Sequence, residues 1–199
     1  MFKKPTIRHQ PDADHLISRV NQRHFKKGVT VEIPSGYELV CVDASGASEV
    51  IKNALTHKLP EAVELLFFVK NNRRVIRSNW GTPNRLNVTT TKGDHTLGGY
   101  GHVEFQLINP VRFIMTRMTE DLTLTEQALT KLVLGHVTTM LRNVLPPMEP
   151  LDVTQETTLI KQLSQAMEKE FARVLDDFGI ASKSLVIENL NVKPLEEEA

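Results

Sequence analysis

Leu97-Gly98-Gly99-Tyr100-Gly101-His102-Val103-Glu104-Phe105-Gln106-Leu107-Ile108-Asn109-Pro110 is the stretch whose reading decides the fold. Gly101, Val103, Phe105 and Leu107 alternate with Tyr100, His102, Glu104 and Gln106. A period of two sends the first set to one side of an extended chain and the second to the other, the pattern of a half-buried strand. Pro110 ends it, because proline has no amide to give to a neighbouring strand. The glycines enter a strand instead of opening a helix, so they offer no helix dipole and no row of free amides for a phosphate. Close approach of another backbone, or a bulge, accounts for them instead.

Upstream the chain is β-rich. Val29, Val31 and Ile33 alternate with Thr30 and Glu32, and Pro34-Ser35-Gly36 makes a turn. Tyr37 to Val42 follows as a strand that is apolar on both faces from Leu39, and therefore central. Asp43-Ala44-Ser45-Gly46 is a second turn. Leu65 to Val69 and Arg74 to Arg77 flank Lys70-Asn71-Asn72-Arg73, a pattern that predicts a hairpin. Leu86-Asn87-Val88 begins another strand, and Lys92-Gly93-Asp94 turns the chain into the stretch quoted above. Residues 1–28 are polar and rich in histidine and basic side chains. They read as an appendage, with a short helix through Leu16, Ile17 and Val20 capped by Asp12 or Asp14.

Downstream the period changes from two to 3.6. From about Glu120 to Val144, the residues Leu129, Leu132, Val133, Val137, Met140, Leu141 and Val144 recur on one helical stripe. Pro146-Pro147 stops it. Asp152 with Gln155 opens a second helix as a capping-box-like pair, with a stripe of Ile160, Leu163, Met167, Phe171, Val174 and Phe178. Gly179 suits the left-handed cap, with Ile180 as its apolar partner. A short terminal strand runs over Leu185 to Val192, and residues 193–199 form a charged tail. Strands, then two amphipathic helices, then a strand define an α+β fold: a mostly antiparallel sheet packed against two helices. The main domain covers residues 29–192.

Composition narrows the function. The 24 basic and 24 acidic side chains cancel, whereas a dedicated nucleic-acid binder carries a basic excess or face. Cys41, the single cysteine, sits in Leu39-Val40-Cys41-Val42 and reads as a small core residue, with no disulfide to form. The longest apolar run, Leu65 to Val69, is far short of the roughly 18 to 20 residues that span a bilayer. The N-terminal residues lack the apolar stretch of a signal peptide, so a soluble cytoplasmic chain is expected.

No motif for catalysis emerges. The sequence has neither a G-x-S-x-G nucleophile elbow nor a P-loop ending in Gly-Lys-Ser/Thr. It contains no H-E-x-x-H and no cysteine–histidine pair at metal-ligand spacing. His9, His15 and His24 are the set that could gather a metal near the N-terminus, against a scattered, exposed arrangement. Asp43 and Asp94 are turn residues, and no carboxylate pair has the spacing of an acid and a base. Two clusters remain. Trp80-Gly81-Thr82-Pro83 is either an aromatic anchor before a turn or an exposed contact for a partner. Arg23-His24-Phe25-Lys26-Lys27, with Leu16, Ile17 and Val20, is either a solvated arm or a weakly amphipathic membrane-surface segment.

Taken in order, Ile33-Pro34-Ser35-Gly36-Tyr37-Glu38-Leu39-Val40-Cys41-Val42, Asn79-Trp80-Gly81-Thr82-Pro83, Leu97 to Pro110, and Gly179-Ile180 with Leu185-Val186-Ile187-Glu188-Asn189-Leu190 resemble the stomatin/prohibitin/flotillin (SPFH, or band-seven) superfamily. The chain is most similar to soluble bacterial members without a transmembrane anchor. The resemblance implies a non-enzymatic scaffold, with no catalytic residue and no cofactor, that multimerises and organises membrane proteins. It implies a homo-oligomer and a membrane-protein partner, at the inner face of the membrane. The membrane-inserting segment of stomatin and prohibitin and the long coiled coil of flotillins have no counterpart in these residues. Trp80, Tyr100 and His102 are the candidate partner contacts, and Arg23, Lys26 and Lys27 the candidate membrane-surface contacts. The rival readings are a peripheral membrane-binding protein that uses the basic segment, and an enzyme or metal-binding protein of another kind.

Overall fold

Two long antiparallel strands, each of 15 residues, organise one half of the molecule. They are seen in a computed structural model that describes residues 5–82, 84–90, 93–118, 121–144 and 156–194. In chain order the strands are β1 (Thr6–Arg8), β2 (His15–Arg19), β3 (Thr30–Glu32), β4 (Tyr37–Val42), β5 (Ser48–Ile51), β6 (Thr56–Lys58), β7 (Leu65–Lys70), β8 (Ile76–Gly81), β9 (Leu86–Thr90) and β10 (Gly93–Leu107). Helix α1 (Pro110–Arg117), strand β11 (Thr123–Thr125), helices α2 (Glu126–Val144) and α3 (Glu156–Asp176), and strand β12 (Ile180–Pro194) complete the chain. The fold is α+β, with mostly antiparallel sheets. It divides into two compact units, one from Met1–Arg74 with Ile108–Leu129 and the other from Val75–Leu107 with Thr130–Ala199.

The first unit holds a five-stranded sheet in the order β11-β2-β7-β4-β5 and a three-stranded sheet in the order β1-β3-β6, in which β1 and β3 run parallel. Val31 from β3, Leu39 and Cys41 from β4, and Leu66 and Phe68 from β7 meet in one core with Phe25 and Leu59. β4 lies between β5 and β7, and Leu39 to Val42 are all buried, as their two-sided apolar pattern predicts. Gly36 (φ 84°) and Gly46 (φ 84°) supply the left-handed residues of the two expected turns. Asp43 organises the second turn by accepting hydrogen bonds from the Ser45 hydroxyl (2.7 Å) and the Ser45 and Ala47 amides (2.8 and 2.9 Å).

Several expectations are corrected here. Leu16 and Ile17 lie in a strand, not a helix, and β2 is bound on both sides: Ile17 pairs with Leu124 and with Val69. The predicted hairpin across residues 65–77 does not form. β7 pairs with β2 and β4, while β8 pairs with β10. Phe67 and Phe68 are both fully buried, so β7 is covered on both faces and paired along both edges. A third helix, α1, begins at Pro110. Asn109 caps it by accepting the Arg112 amide at 3.0 Å, and Pro110 takes the first helical position, where its missing N–H costs nothing. The helix placed from about Glu120 starts at Glu126, after β11, with the Thr125 hydroxyl accepting the Ala128 amide at 3.1 Å.

The second unit is built on the order β12-β10-β8, with β9 pairing the start of β10. Gly101, Val103, Phe105 and Leu107 are buried, and Tyr100, His102, Glu104 and Gln106 are not, in agreement with the alternation. Val133, Val137 and Leu141 of α2, and Leu163, Met167 and Phe171 of α3, are fully buried on their apolar stripes, whereas Leu132, Ile160, Val174 and Phe178 are half-buried and Leu175, outside the expected stripe, is fully buried. Gly179 (φ 74°) carries the left-handed turn after α3. β12 is longer than the terminal strand read at Leu185 to Val192, because it pairs with β10 from end to end. Pro83, Lys92, Pro146-Pro147, the Asp152–Gln155 pair and residues 195–199 lie outside the described residues.

Candidate functional surfaces

The register of the second unit explains its glycines. β12 carries two extra residues opposite β10, Glu188 between the pairs Tyr100–Asn189 and Gly101–Ile187, and Lys183 between Glu104–Ser184 and Phe105–Ser182. Such bulges twist an edge strand and blunt it against further pairing. A Cβ on Gly101 would run into the carbonyl of Val186, and one on Gly99 would lie 2.9 Å from the carbonyl of Asn189. The glycines are thus the condition for β12 to approach.

Trp80 stands directly across from Gly101 on β8. It is 6% exposed, and its indole N–H donates to the Val186 carbonyl at 3.2 Å. An aromatic ring covering a glycine on the partner strand is a known device for holding such a strand in place. Of the two readings of Trp80, the ring therefore takes the anchoring role, and burial leaves it no open face for a partner. Thr82 extends the same joint: its hydroxyl accepts the Gly99 amide at 2.8 Å and its amide donates to the Gly99 carbonyl at 3.0 Å.

The opposite face carries Tyr100, His102 and Glu104 beside Gly81, Asn79 and Arg77. Tyr100 is 53% exposed. The His102 imidazole is largely covered, and its Nδ1 lies 2.7 Å from a carboxylate oxygen of Glu188, the bulged residue. Arg77 and Glu104 form a looser pair at 3.6 Å. One aromatic ring thus stands open in a polar, charge-neutralised surface.

The first unit displays the basic segment. Arg23, His24, Lys26 and Lys27 are exposed around Phe25, which is buried and exchanges backbone hydrogen bonds with Val63 (2.7 and 3.0 Å). His24 sits at φ 62°, an unusual conformation for a non-glycine residue. It is held by its amide on the Glu64 carbonyl (3.1 Å) and by Nδ1 at 2.6 Å from the Glu64 carboxylate. Burial pushes the Arg19 guanidinium down from its ordinary value, and the like charge of Arg23 adds to this. The segment is a basic loop pinned by Phe25, while Leu16 and Ile17 are committed to β2 and buried.

The N-terminal histidines do not converge. His9 stacks on Phe68 (centroids 5.3 Å apart) with Nε2 2.8 Å from the Ser18 hydroxyl, and His24 meets Glu64. His15 faces Asp12 and Asp14, at 3.6 and 3.9 Å. These three bring one ligand atom each within 4.8 Å of one another, but both carboxylates are mostly exposed, as in a solvated turn. Cys41 is 4% exposed, and burial, aided by the charge of Glu49, pushes its thiol up to about 12.

A β-rich sheet followed by two amphipathic helices and a closing strand is the arrangement that the resemblance implies for this part of the chain. The chain belongs to the SPFH domain-Band 7 family, whose model matches residues 51–198. The opening motif Ile33 to Val42 precedes the matched residues. No curated protein matches the chain. Membership suggests a membrane-associated scaffold-type role, and the family is generally of non-enzymatic type. Among the described residues, no helix is long and apolar enough to cross a membrane.

Proposed function

We propose that the chain is a non-enzymatic scaffold module that oligomerises and organises membrane-associated protein partners at the inner face of the membrane. Tyr100 is the observation that supports this most directly: a large aromatic side chain, more than half exposed, on the polar face of a three-stranded joint. Tyrosine is enriched among residues that anchor interfaces, because it brings contact area at low entropic cost. His102, largely covered and held by Glu188, stands on the same face. Multivalent display of such faces would concentrate bound partners without any change in the individual affinity.

Size-exclusion chromatography with light scattering tests the reading. Self-association that rises with concentration and is weakened by Tyr100→Ala is the expected result, and a strict monomer at high concentration refutes self-assembly. A pull-down from native membranes then reports the partner.

A second reading has its own observation. Arg23, Lys26 and Lys27 project from one loop pinned by Phe25, and so present a basic patch to an anionic headgroup surface. Flotation with anionic liposomes at low salt supports peripheral binding if neutralising these three residues abolishes it. No co-flotation removes direct lipid contact.

A further inference from the structure

The turn between β5 and β6 carries the most exposed large apolar side chain among the described residues, Leu55, at 77%. A single exposed leucine is ordinary on a protein surface, but the backbone around this one holds it outward. Ala54, the residue before it, packs against the core of the first unit. The Leu55 carbonyl accepts the Ile33 amide at 2.8 Å, and Asn53 takes a left-handed conformation (φ 55°) that asparagine tolerates. Two amines flank the leucine. Lys52 precedes it in the same turn and Lys58 follows it on β6; both are exposed, and neither has an ion-pair partner among the described residues. Lys58 lies opposite Thr30, in the register that sets His57 opposite the fully buried Val31. Alternation therefore sends Lys58 to the outer face of the three-stranded sheet. Glu32, the one acidic residue in those three strands, is paired with Arg8 at 2.9 Å. The surroundings of Leu55 thus carry a positive excess.

We propose that Leu55 is an apolar tip that enters the surface of an anionic bilayer, with Lys52 and Lys58 at the lipid phosphates. The inference rests on the peripheral-membrane reading above, and adds an apolar contact to the basic loop in the same unit. A protruding apolar group between lysines suits a bilayer. The leucine reaches the acyl boundary while the long lysine stems keep their amines among the headgroups. A protein partner suits it poorly, because lysine is depleted at protein interfaces and leucine is under-represented among their hot spots.

Flotation of the full chain with phosphatidylserine–phosphatidylcholine vesicles at low salt decides it. Leu55→Ser should lower partitioning about tenfold, and Lys52→Gln and Lys58→Gln about fivefold each. All three side chains are exposed, so the thermal midpoint should stay where it is. A polarity-sensitive dye on Leu55→Cys, with Cys41 covered, should shift to the blue on these vesicles and be quenched by brominated acyl chains. If the unmodified chain does not float, the membrane reading and this inference fall together. If it floats equally well as Leu55→Ser and the dye does not shift, the inference alone is overturned and the basic loop remains the contact. Loss of self-association on Leu55→Ser, read by light scattering with vesicle partitioning unchanged, would assign the tip to a second copy and overturn it as well.

Discussion

The indole N–H of Trp80 donates to the carbonyl of Val186 at 3.2 Å, across Gly101 on the strand between them. Three strands are locked at this point by a single side chain, which reaches across β10 where that strand has no side chain of its own. Trp80→Phe keeps most of the buried apolar surface and removes the hydrogen bond. We expect a loss of about 1 kcal/mol, read by urea denaturation followed by circular dichroism, since Trp80 is the only tryptophan.

Gly101 is the more sensitive half of the joint. A Cβ there meets the backbone of β12 and lies 3.0 Å from the indole nitrogen, and neither can move cheaply. Gly101→Ala should destabilise by about 1–3 kcal/mol or more. Gly98→Ala places a methyl group at 3.7 Å from the flexible Arg85 side chain and should stay within about 0.5 kcal/mol. Equal effects of the two in the same denaturation assay would refute the close-approach account.

Cys41 should be unreactive in the native protein. Its thiol is both covered and held protonated, with a value of about 12, and the thiolate is the reactive species. An aromatic disulfide reagent at mildly alkaline pH should titrate no thiol before unfolding and one per chain in concentrated guanidinium chloride. Rapid native labelling would show that β4 and β5 open readily.

His9 makes stability depend on pH. Burial against Phe68 lowers its value below 6.5, His15 adds to the effect and Asp12 opposes it. The unfolded chain therefore takes up the proton more readily than the folded one. The contribution is present in full above pH 6.5 and is lost as the pH falls from there through the folded value. Denaturation midpoints measured across that window should decline, and His9→Phe should flatten the decline whatever its effect on absolute stability.

The sheet of the second unit was legible because its signals are local and strong. Eight alternating residues assign the faces of β10, and glycines entering a strand announce a close approach. Gly179 marks the turn between α3 and β12. Helix α1 was legible in principle, since Asn109-Pro110 is an N-cap followed by proline at the first helical position. The same proline also ends a strand, and that stop signal dominated. Of the candidate contacts, Tyr100 and His102 lie on the face their alternation assigns. Trp80 was ambiguous, because a short strand rich in polar residues does not declare which of its faces is covered.

Sequence alone determined the α+β class, the two amphipathic helices, the turns at Gly36 and Gly46 and the burial of Cys41, because each follows from periodicity or from one residue's allowed dihedral angles. Tertiary structure decided the rest. Leu16, Ile17 and Val20 fit either a helix or a strand, and pairing with Val69 and Leu124 settled the choice. Leu65 to Val69 could join its sequence neighbour or distant strands, and burial of two phenylalanines favoured the distant ones. Partner choice between strands depends on which surfaces are jointly buried, and that is a property of the whole chain.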